Sequence, residues 1–182
     1  MMSRLTDFRS APPEAVEIDG VQYTLSGNFR NCILTIQALL DDNLAEWEKV
    51  EIVISNMYAE PPPENTGEAV RLAVNYLMQN RVATEDDLAR PAVIDFAKDG
   101  QLIYDAFLLK GINLDNSDMT YWEFLAHLRE LPEGCVLSRF VHWRLTPWGK
   151  LTKEEREQIG KIGHDAVFLD TALIEGGGEV LM

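Results

Sequence analysis

The chain has 182 residues with a hydrophobic fraction of 46%, and its 30 acidic and 16 basic side chains give a formal net charge of −14. The hydrophobic fraction is typical of a globular protein. The excess of carboxylates argues against nucleic-acid binding, because contacts with phosphates need clustered lysine and arginine. The chain has no apolar run near the ~20 residues that a membrane span requires, and residues 1–14 lack the apolar region of a signal peptide. We therefore expect a soluble, cytoplasmic protein without a nucleic-acid or membrane partner.

The first predicted element is a β-hairpin at residues 16–25. The sequence VEIDGVQYTL has two short alternating runs on either side of Asp19 and Gly20. This dipeptide suits the positive φ angles of a tight hairpin turn. Because an isolated two-stranded hairpin is only marginally stable in water, we expect it to pack on the rest of the chain or to pair with another chain.

After the hairpin the pattern becomes helical. Apolar residues with a spacing of three and four predict a helix over residues 28–41. A capping box of Asn43 and Glu46 predicts the start of a second helix, which runs to Tyr58. The β-branched run at 51–55 is also compatible with a strand, but the helical period persists through it and favours a helix.

Three prolines at 61–63 end the second helix and predict a stiff connector. A second capping box, Asn65 with Glu68, predicts a helix that ends near Arg81, and a short turn is expected at 84–87. The remaining predicted helices span 92–110, then 119–131 after a cap at Asp118, then 136–145, and finally a segment that Thr152 and Glu155 cap.

These elements predict a mostly α protein, a helical bundle with a short N-terminal β-hairpin. We expect a single helical domain over residues 1–168 and a flexible tail at 169–182. Cys32 and Cys135 lie in apolar patterns and are predicted to be buried. The sequence does not decide whether a disulfide joins them. The predicted core includes Ile36, Trp47, Phe107, Leu128 and Trp143.

The sequence has no recognisable catalytic motif. His127, Cys135 and His142 would need a fourth ligand to form a structural zinc site. The acidic run at 115–118 resembles the start of a calcium loop but lacks glycine at the sixth position and glutamate at the twelfth. Phosphate-binding loops and nucleophile elbows are also absent. We therefore expect no catalytic residues, no metal ligands and no cofactor.

Two tryptophans are candidates for an interaction surface. Trp122 lies at the flank of its predicted helix, outside the apolar stripe, where it contacts either a neighbouring helix or a partner protein. Trp148 lies in a Thr-Pro-Trp-Gly loop and either closes the end of the bundle or contacts a partner. Aromatic side chains dominate interface hot spots, so Trp122→Ala is predicted to impair binding more than stability.

Charge is unevenly distributed along the chain. Residues 1–128 carry a net charge of −12, whereas residues 129–161 carry a net charge of +2. Arg139 and Arg144 belong to this basic stretch and complete the set of candidate interaction residues. This asymmetry either serves solubility alone or lets the acidic part of the chain bind a basic partner or the basic stretch of another copy, and the last alternative would give a head-to-tail homo-oligomer.

The order of motifs resembles a family of small proteins from the tail module of long-tailed bacteriophages and prophages, grouped with tail-assembly chaperones. The resemblance covers residues 13–162 and is most specific in DFAKDGQLIYDAFLLKGINLD, followed by YWEF and LP. The hairpin sequence and the NFR that follows it support the resemblance independently.

The resemblance implies a non-enzymatic chaperone that binds the tape-measure protein and keeps it soluble while the tail tube assembles. It implies a second contact with the tail tube protein, a location in the host cytoplasm and absence from the mature virion. An acidic helical regulator that imitates nucleic acid or inhibits a host enzyme is the alternative hypothesis for so acidic a chain.

Overall fold

A computed structural model of the chain describes residues 12–59, 65–80 and 93–169. This part of the chain is mostly helical, as predicted. Its α-helices are α1 (Phe29–Leu40), α2 (Glu46–Met57), α3 (Thr66–Leu77), α4 (Gly100–Leu109), α5 (Tyr121–Arg129), α6 (Val136–Leu145), α7 (Lys153–Ile162) and α8 (His164–Val167). The predicted proline connector at 61–63, the turn at 84–87 and the tail from 170 onward lie outside the described residues.

The predicted hairpin is confirmed. Strands β1 (Ala15–Ile18) and β2 (Val21–Thr24) pair antiparallel. Asp19 and Gly20 have φ angles of 51° and 81°, the positive values that a two-residue turn of this kind requires. The hairpin packs on the chain as expected, because the Ala59 N–H donates to the Thr24 carbonyl at 3.1 Å.

Contacts group the chain into two compact units. Unit 1 is the described part of Met1–Ala83 together with Asp115–Glu130, and it contains the hairpin, α1, α2, α3 and α5. Unit 2 is the described part of Thr84–Leu114 and Leu131–Met182, and it contains α4, α6, α7 and α8. The single domain predicted over residues 1–168 stays a prediction.

The core of unit 1 forms where α1 packs on α2 and α5, and where α2 packs on α3. The Phe29 ring of α1 stacks on the Phe124 ring of α5, with their centroids 5.1 Å apart. Cys32, Val53 and Met57 are completely buried beside them. Cys32 and Cys135 are buried free thiols, which confirms their predicted burial and excludes a disulfide between them in this structure.

The core of unit 2 joins four elements. One cluster of its buried side chains comprises Phe140, Trp143, Leu151, Ile159 and Val167. Leu102 of α4 and Phe168 pack against this cluster. Gly163, at a φ of 104°, separates α7 from α8 and lets the chain turn back so that Val167 reaches the core.

Three predicted helix starts were wrong. α2 begins at Glu46, because the Glu48 carboxylate accepts from the Ala45 N–H at 2.8 Å, whereas Asn43 belongs to a preceding turn. α5 begins at Tyr121, after a cap at Thr120 that replaces the predicted Asp118.

α4 begins at Gly100, eight residues later than its predicted start, because an aspartate-capped turn precedes it. The caps at Asn65 and Thr152 are confirmed.

The predicted core is partly confirmed. Phe107 and Trp143 are buried, with 0% and 2% of their surface exposed. Ile36 and Leu128 are only half-buried. The prediction for Trp47 was wrong, because 63% of its surface is exposed. The sequence pattern correctly gave the helical period of α2 but not which part of its apolar arc faces the neighbouring helices.

Candidate protein-interaction surfaces

One flank of α2 exposes apolar side chains. Trp47, Val50 and Ile54 follow a spacing of three and four residues and therefore lie along one side of the helix, which we call the α2 flank. Val53 and Met57, the buried residues of α2, lie on the adjacent side. Trp47 is largely exposed, and the other two residues are half-buried. The flank is therefore an apolar strip that unit 1 only partly covers.

A groove of about 690 Å³ runs beside the α2 flank. Its lining includes Val50, Glu51, Ile54, Ser55, Tyr58 and Thr66. The Tyr58 hydroxyl donates to the Ala69 carbonyl at 2.5 Å, and this bond fixes the ring at the end of the groove against α3. Burial raises the pKa of Tyr58 to about 12, and the neutral ring forms an apolar wall of the groove.

The surroundings of this groove are acidic. Between residues 41 and 59 the chain carries five carboxylates and one lysine. Lys49 pairs with Glu46 at 3.7 Å, and only 14% of its side chain is exposed. The Glu51 carboxylate lines the groove and is exposed. The α2 flank therefore combines apolar contact area with an exposed carboxylate, that of Glu51.

Trp122 contacts a neighbouring helix of unit 1. Its indole N–H donates to the Tyr76 carbonyl of α3 at 3.1 Å, and the two rings lie 5.7 Å apart. This arrangement corresponds to the first of the two alternatives for Trp122, a contact within the chain. Trp122 also lines a second groove of about 500 Å³, together with Pro12, Pro13, Leu25 and Ala126.

Arg144 forms a buried ion pair inside unit 2. Its guanidinium donates two parallel hydrogen bonds to the Asp99 carboxylate, at 2.6 and 2.8 Å. It also donates to the carbonyls of Val93 and Val167, at 2.8 and 2.6 Å. The exposed fractions of the two side chains are 4% and 1%. Arg144 thus connects three segments of unit 2 and is not part of an exposed basic surface.

The other two candidate residues are exposed. Arg139 lies on the exposed side of α6. Trp148 begins a 3₁₀ turn (Trp148–Lys150), and 48% of its surface is exposed. One side of its ring contacts His164 and Phe168, at centroid distances of 5.9 and 6.3 Å. Trp148 therefore covers part of unit 2 and offers its remaining surface to solvent.

Buried ionisable side chains of unit 1 stay neutral. Burial raises the pKa of the Cys32 thiol to about 12 and the pKa values of Tyr76 and Tyr121 to about 12. A thiol in this state is a poor nucleophile, because the thiolate is the reactive species. Cys32 is thus a packing residue.

A search of the described ranges finds no group of three or more histidine, cysteine, aspartate or glutamate side chains that could hold a metal ion. In the acidic run that resembles a calcium loop, Leu114–Asn116 form a 3₁₀ turn. No helix in the described part of the chain is long and apolar enough to cross a membrane.

Sequence reasoning missed two features of these surfaces. The α2 flank was assigned to the core, although Trp47 and Ile54 lie about 120° and 100° around the helix from Val53, which places them at the edge of a core-facing stripe. Asp99 was placed inside a helix and given no role. Neither the sequence spacing nor local propensity indicated its pairing with Arg144.

The structure defines a mostly helical protein with a net negative charge and a partly apolar surface on α2. The family model described as Bacteriophage Gp15 protein matches residues 9–165, and the chain belongs to this family of bacteriophage proteins. The predicted bacteriophage origin is thereby confirmed. No curated protein and no solved structure matches the chain.

Proposed function

We propose that the chain is a tail-assembly chaperone that binds the tape-measure protein and keeps it soluble while the tail tube assembles around it. The role is non-enzymatic and is carried out in the host cytoplasm, and the chaperone is absent from the mature virion. The tail tube protein is a second candidate partner. Membership of a bacteriophage protein family supports the part of this proposal that assigns the chain to a phage.

The observation that carries the proposal is the exposed apolar α2 flank. A tryptophan with 63% of its surface in water, next to an apolar groove, favours coverage by another protein. The net charge of −14 keeps a chain with such surfaces from associating non-specifically, because like charges repel. Both properties suit a protein that holds an aggregation-prone client.

Co-expression with the tape-measure protein of the same phage tests this function. We expect the tape-measure protein to be soluble and to co-purify with the chain, and to be insoluble when expressed alone. An unrelated acidic helical protein, expressed at the same level, controls for a general effect of negative charge. A tape-measure protein that is equally insoluble in both co-expressions would contradict the proposal.

The predicted absence from the virion has its own measurement. Mass spectrometry of purified virions and of the infected-cell lysate should detect the chain in the lysate only. Stoichiometric amounts in the virion would instead indicate a structural tail protein.

A further inference from the structure

We propose that the α2 flank docks an amphipathic helix that carries lysine or arginine beside its apolar face. This inference rests on the proposed function, because it specifies the surface and the chemistry by which the chain would hold its partner. Its basis is the exposed apolar strip, the geometry of the helix that presents it and the charge that surrounds it.

The apolar strip is long enough for a helical partner. From Trp47 to Met57 the helix rises about 15 Å, or roughly three turns. Trp47, Val50 and Ile54 lie along this length, and the groove extends it to Tyr58 and the start of α3. A partner helix with anchors at a spacing of three, four and seven residues would match this row of contacts.

Backbone chemistry favours a helix over an extended strand. The backbone N–H and carbonyl groups within α2 bond to each other, so the flank offers no edge with which a strand could pair. A partner that covers this surface must satisfy its own backbone groups, and a helix does so internally. The contact is therefore a helix in a groove.

Charge selects a basic partner. The α2 helix carries three glutamates and one lysine, and Lys49 is largely covered and paired with Glu46. Glu51 lies in the groove lining, where its carboxylate would face the edge of a docked helix. A lysine or arginine at that edge gains an ion pair, whereas an acidic helix meets like charge.

A direct binding assay uses a synthetic helical peptide of about four turns, built from leucine and lysine. Isothermal titration calorimetry measures the affinity of each protein, and in the wild-type chain binding should also shift the emission of Trp47 to shorter wavelength as the indole leaves water. Trp47→Phe should keep binding and lose most of that shift, whereas Trp47→Ala should weaken binding about tenfold or more. Leu34→Ala is the matched control, because Leu34 is 53% exposed and lies on α1, not on the α2 flank. An unchanged affinity of Trp47→Ala would overturn the proposal.

The charge component is tested by reversal at one position. Glu51→Lys should weaken binding of the leucine–lysine peptide and strengthen binding of a leucine–glutamate peptide of equal length. Circular dichroism should show the same helix content in both proteins, since Glu51 is exposed. An unchanged preference for the basic peptide would overturn the assignment of Glu51 as the residue that selects a basic partner.

Co-purification with the tape-measure protein separates this inference from the proposed function. Loss of co-purification in Trp47→Ala, but not in Leu34→Ala, supports both. Co-purification that Trp47→Ala leaves intact overturns the docking surface and retains the chaperone function. If the basic peptide binds through Trp47 while the wild-type chain fails to retain the tape-measure protein, the docking surface stands and the chaperone function fails.

Discussion

At the scale of single residues, Gly27 shows how closely two segments of unit 1 approach each other. A Cβ atom at this position would lie 2.7 Å from the hydroxyl oxygen of Tyr76, whose side chain is buried. The Gly27 carbonyl also accepts from the Tyr121 N–H at 2.8 Å, which limits backbone movement. Gly27 is therefore required by packing.

We expect Gly27→Ala to destabilise the protein by about 1–3 kcal/mol, because overpacking displaces buried groups. The matched control is Gly67→Ala in α3, where a Cβ meets nothing within 4 Å and alanine is the better helix former. That control should be neutral or stabilising by up to about 1 kcal/mol. Urea denaturation followed by circular dichroism measures both changes. Equal stability of the two variants would show that the Tyr76 ring moves aside freely.

The buried ion pair of unit 2 leads to a second residue-scale prediction. Arg144→Ala should lower the free energy of unfolding by roughly 3–5 kcal/mol, because it leaves the Asp99 carboxylate buried without its cation. Arg144→Lys should recover only part of this loss, since an ammonium cannot donate two parallel bonds and also reach both carbonyls. Denaturant unfolding with fluorescence of the buried Trp143 reports on this unit.

Arg139→Ala is the control for this prediction. Arg139 lies on the same helix but is exposed, so its removal should change the unfolding free energy by less than about 0.5 kcal/mol. Similar losses for the two arginines would contradict a structural role for the Arg144–Asp99 pair.

At the scale of elements, α1, α3 and α5 each bury an ionisable hydroxyl or thiol group. Cys32, Tyr76 and Tyr121 lie one on each of these helices, and burial raises the pKa of each to about 12. The ordinary pKa values are 9.0 for the cysteine and 10.0 for the tyrosines. Between these values and 12 the unfolded chain loses protons that the folded chain retains.

The sign of the pH dependence follows from this difference. A folded state that binds more protons loses stability as the pH rises, so unit 1 should weaken from about pH 9 and continue to weaken toward pH 12. Urea titrations across that range measure the slope. Tyr58→Phe removes one such group, so its slope should be shallower even though its stability at neutral pH is lower. A slope that is identical in the two proteins would contradict the assignment.

Some elements begin where the sequence pattern predicts them, whereas α4 does not. The hairpin, the Asn65 cap and the Thr152 cap form where sequence patterns predict them, because each depends on atoms within a few residues. The start of α4 deviates because the Asp95 side chain bonds the N–H groups of Ala97 and Lys98, and the Asp99 side chain bonds the Asp95 N–H. The Asp99 carboxylate thus stabilises that turn and also binds Arg144, a residue 45 positions away.

At the scale of the whole molecule, the distribution of charge predicts self-association. Residues 1–128 carry a net charge of −12, and residues 129–161 a net charge of +2. Arg144 cannot take part in such a contact, because its side chain is buried and paired with Asp99. Arg139 and Lys150 are exposed and can take part. The half-exposed ring of Trp148 lies two residues before Lys150 and supplies apolar area.

We expect weak head-to-tail oligomers that dissociate in salt. Exposed charge pairs contribute only ~0–1 kcal/mol each, and the screening length falls from ~10 Å at 0.1 M salt to ~3 Å at 1 M. Analytical ultracentrifugation over that range measures the effect. Arg139→Glu should reduce the association at low salt, with Arg139→Lys as its charge-preserving control. An oligomer that is indifferent to salt, or a monomer at high protein concentration and low salt, would contradict the charge mechanism.

The sequence alone was sufficient for the mostly helical class, for the hairpin with its turn and for two of the four predicted helix caps. It was also sufficient to indicate a bacteriophage protein family, through the resemblance of motifs spread over residues 13–162. These features depend on period, on turn chemistry and on residue order, all of which are visible along the chain. The burial of Phe107 and Trp143 followed from the same periodicity.

Only the tertiary structure decided which surfaces are exposed. The helical period of α2 defines an apolar arc, but the neighbours that pack on part of this arc determine that Val53 is buried and that Trp47 meets water. The pairing of Arg144 with Asp99 likewise depends on where the chain brings α6 and the start of α4. Both results depend on contacts between distant segments, and these leave no signal in the local pattern of residues.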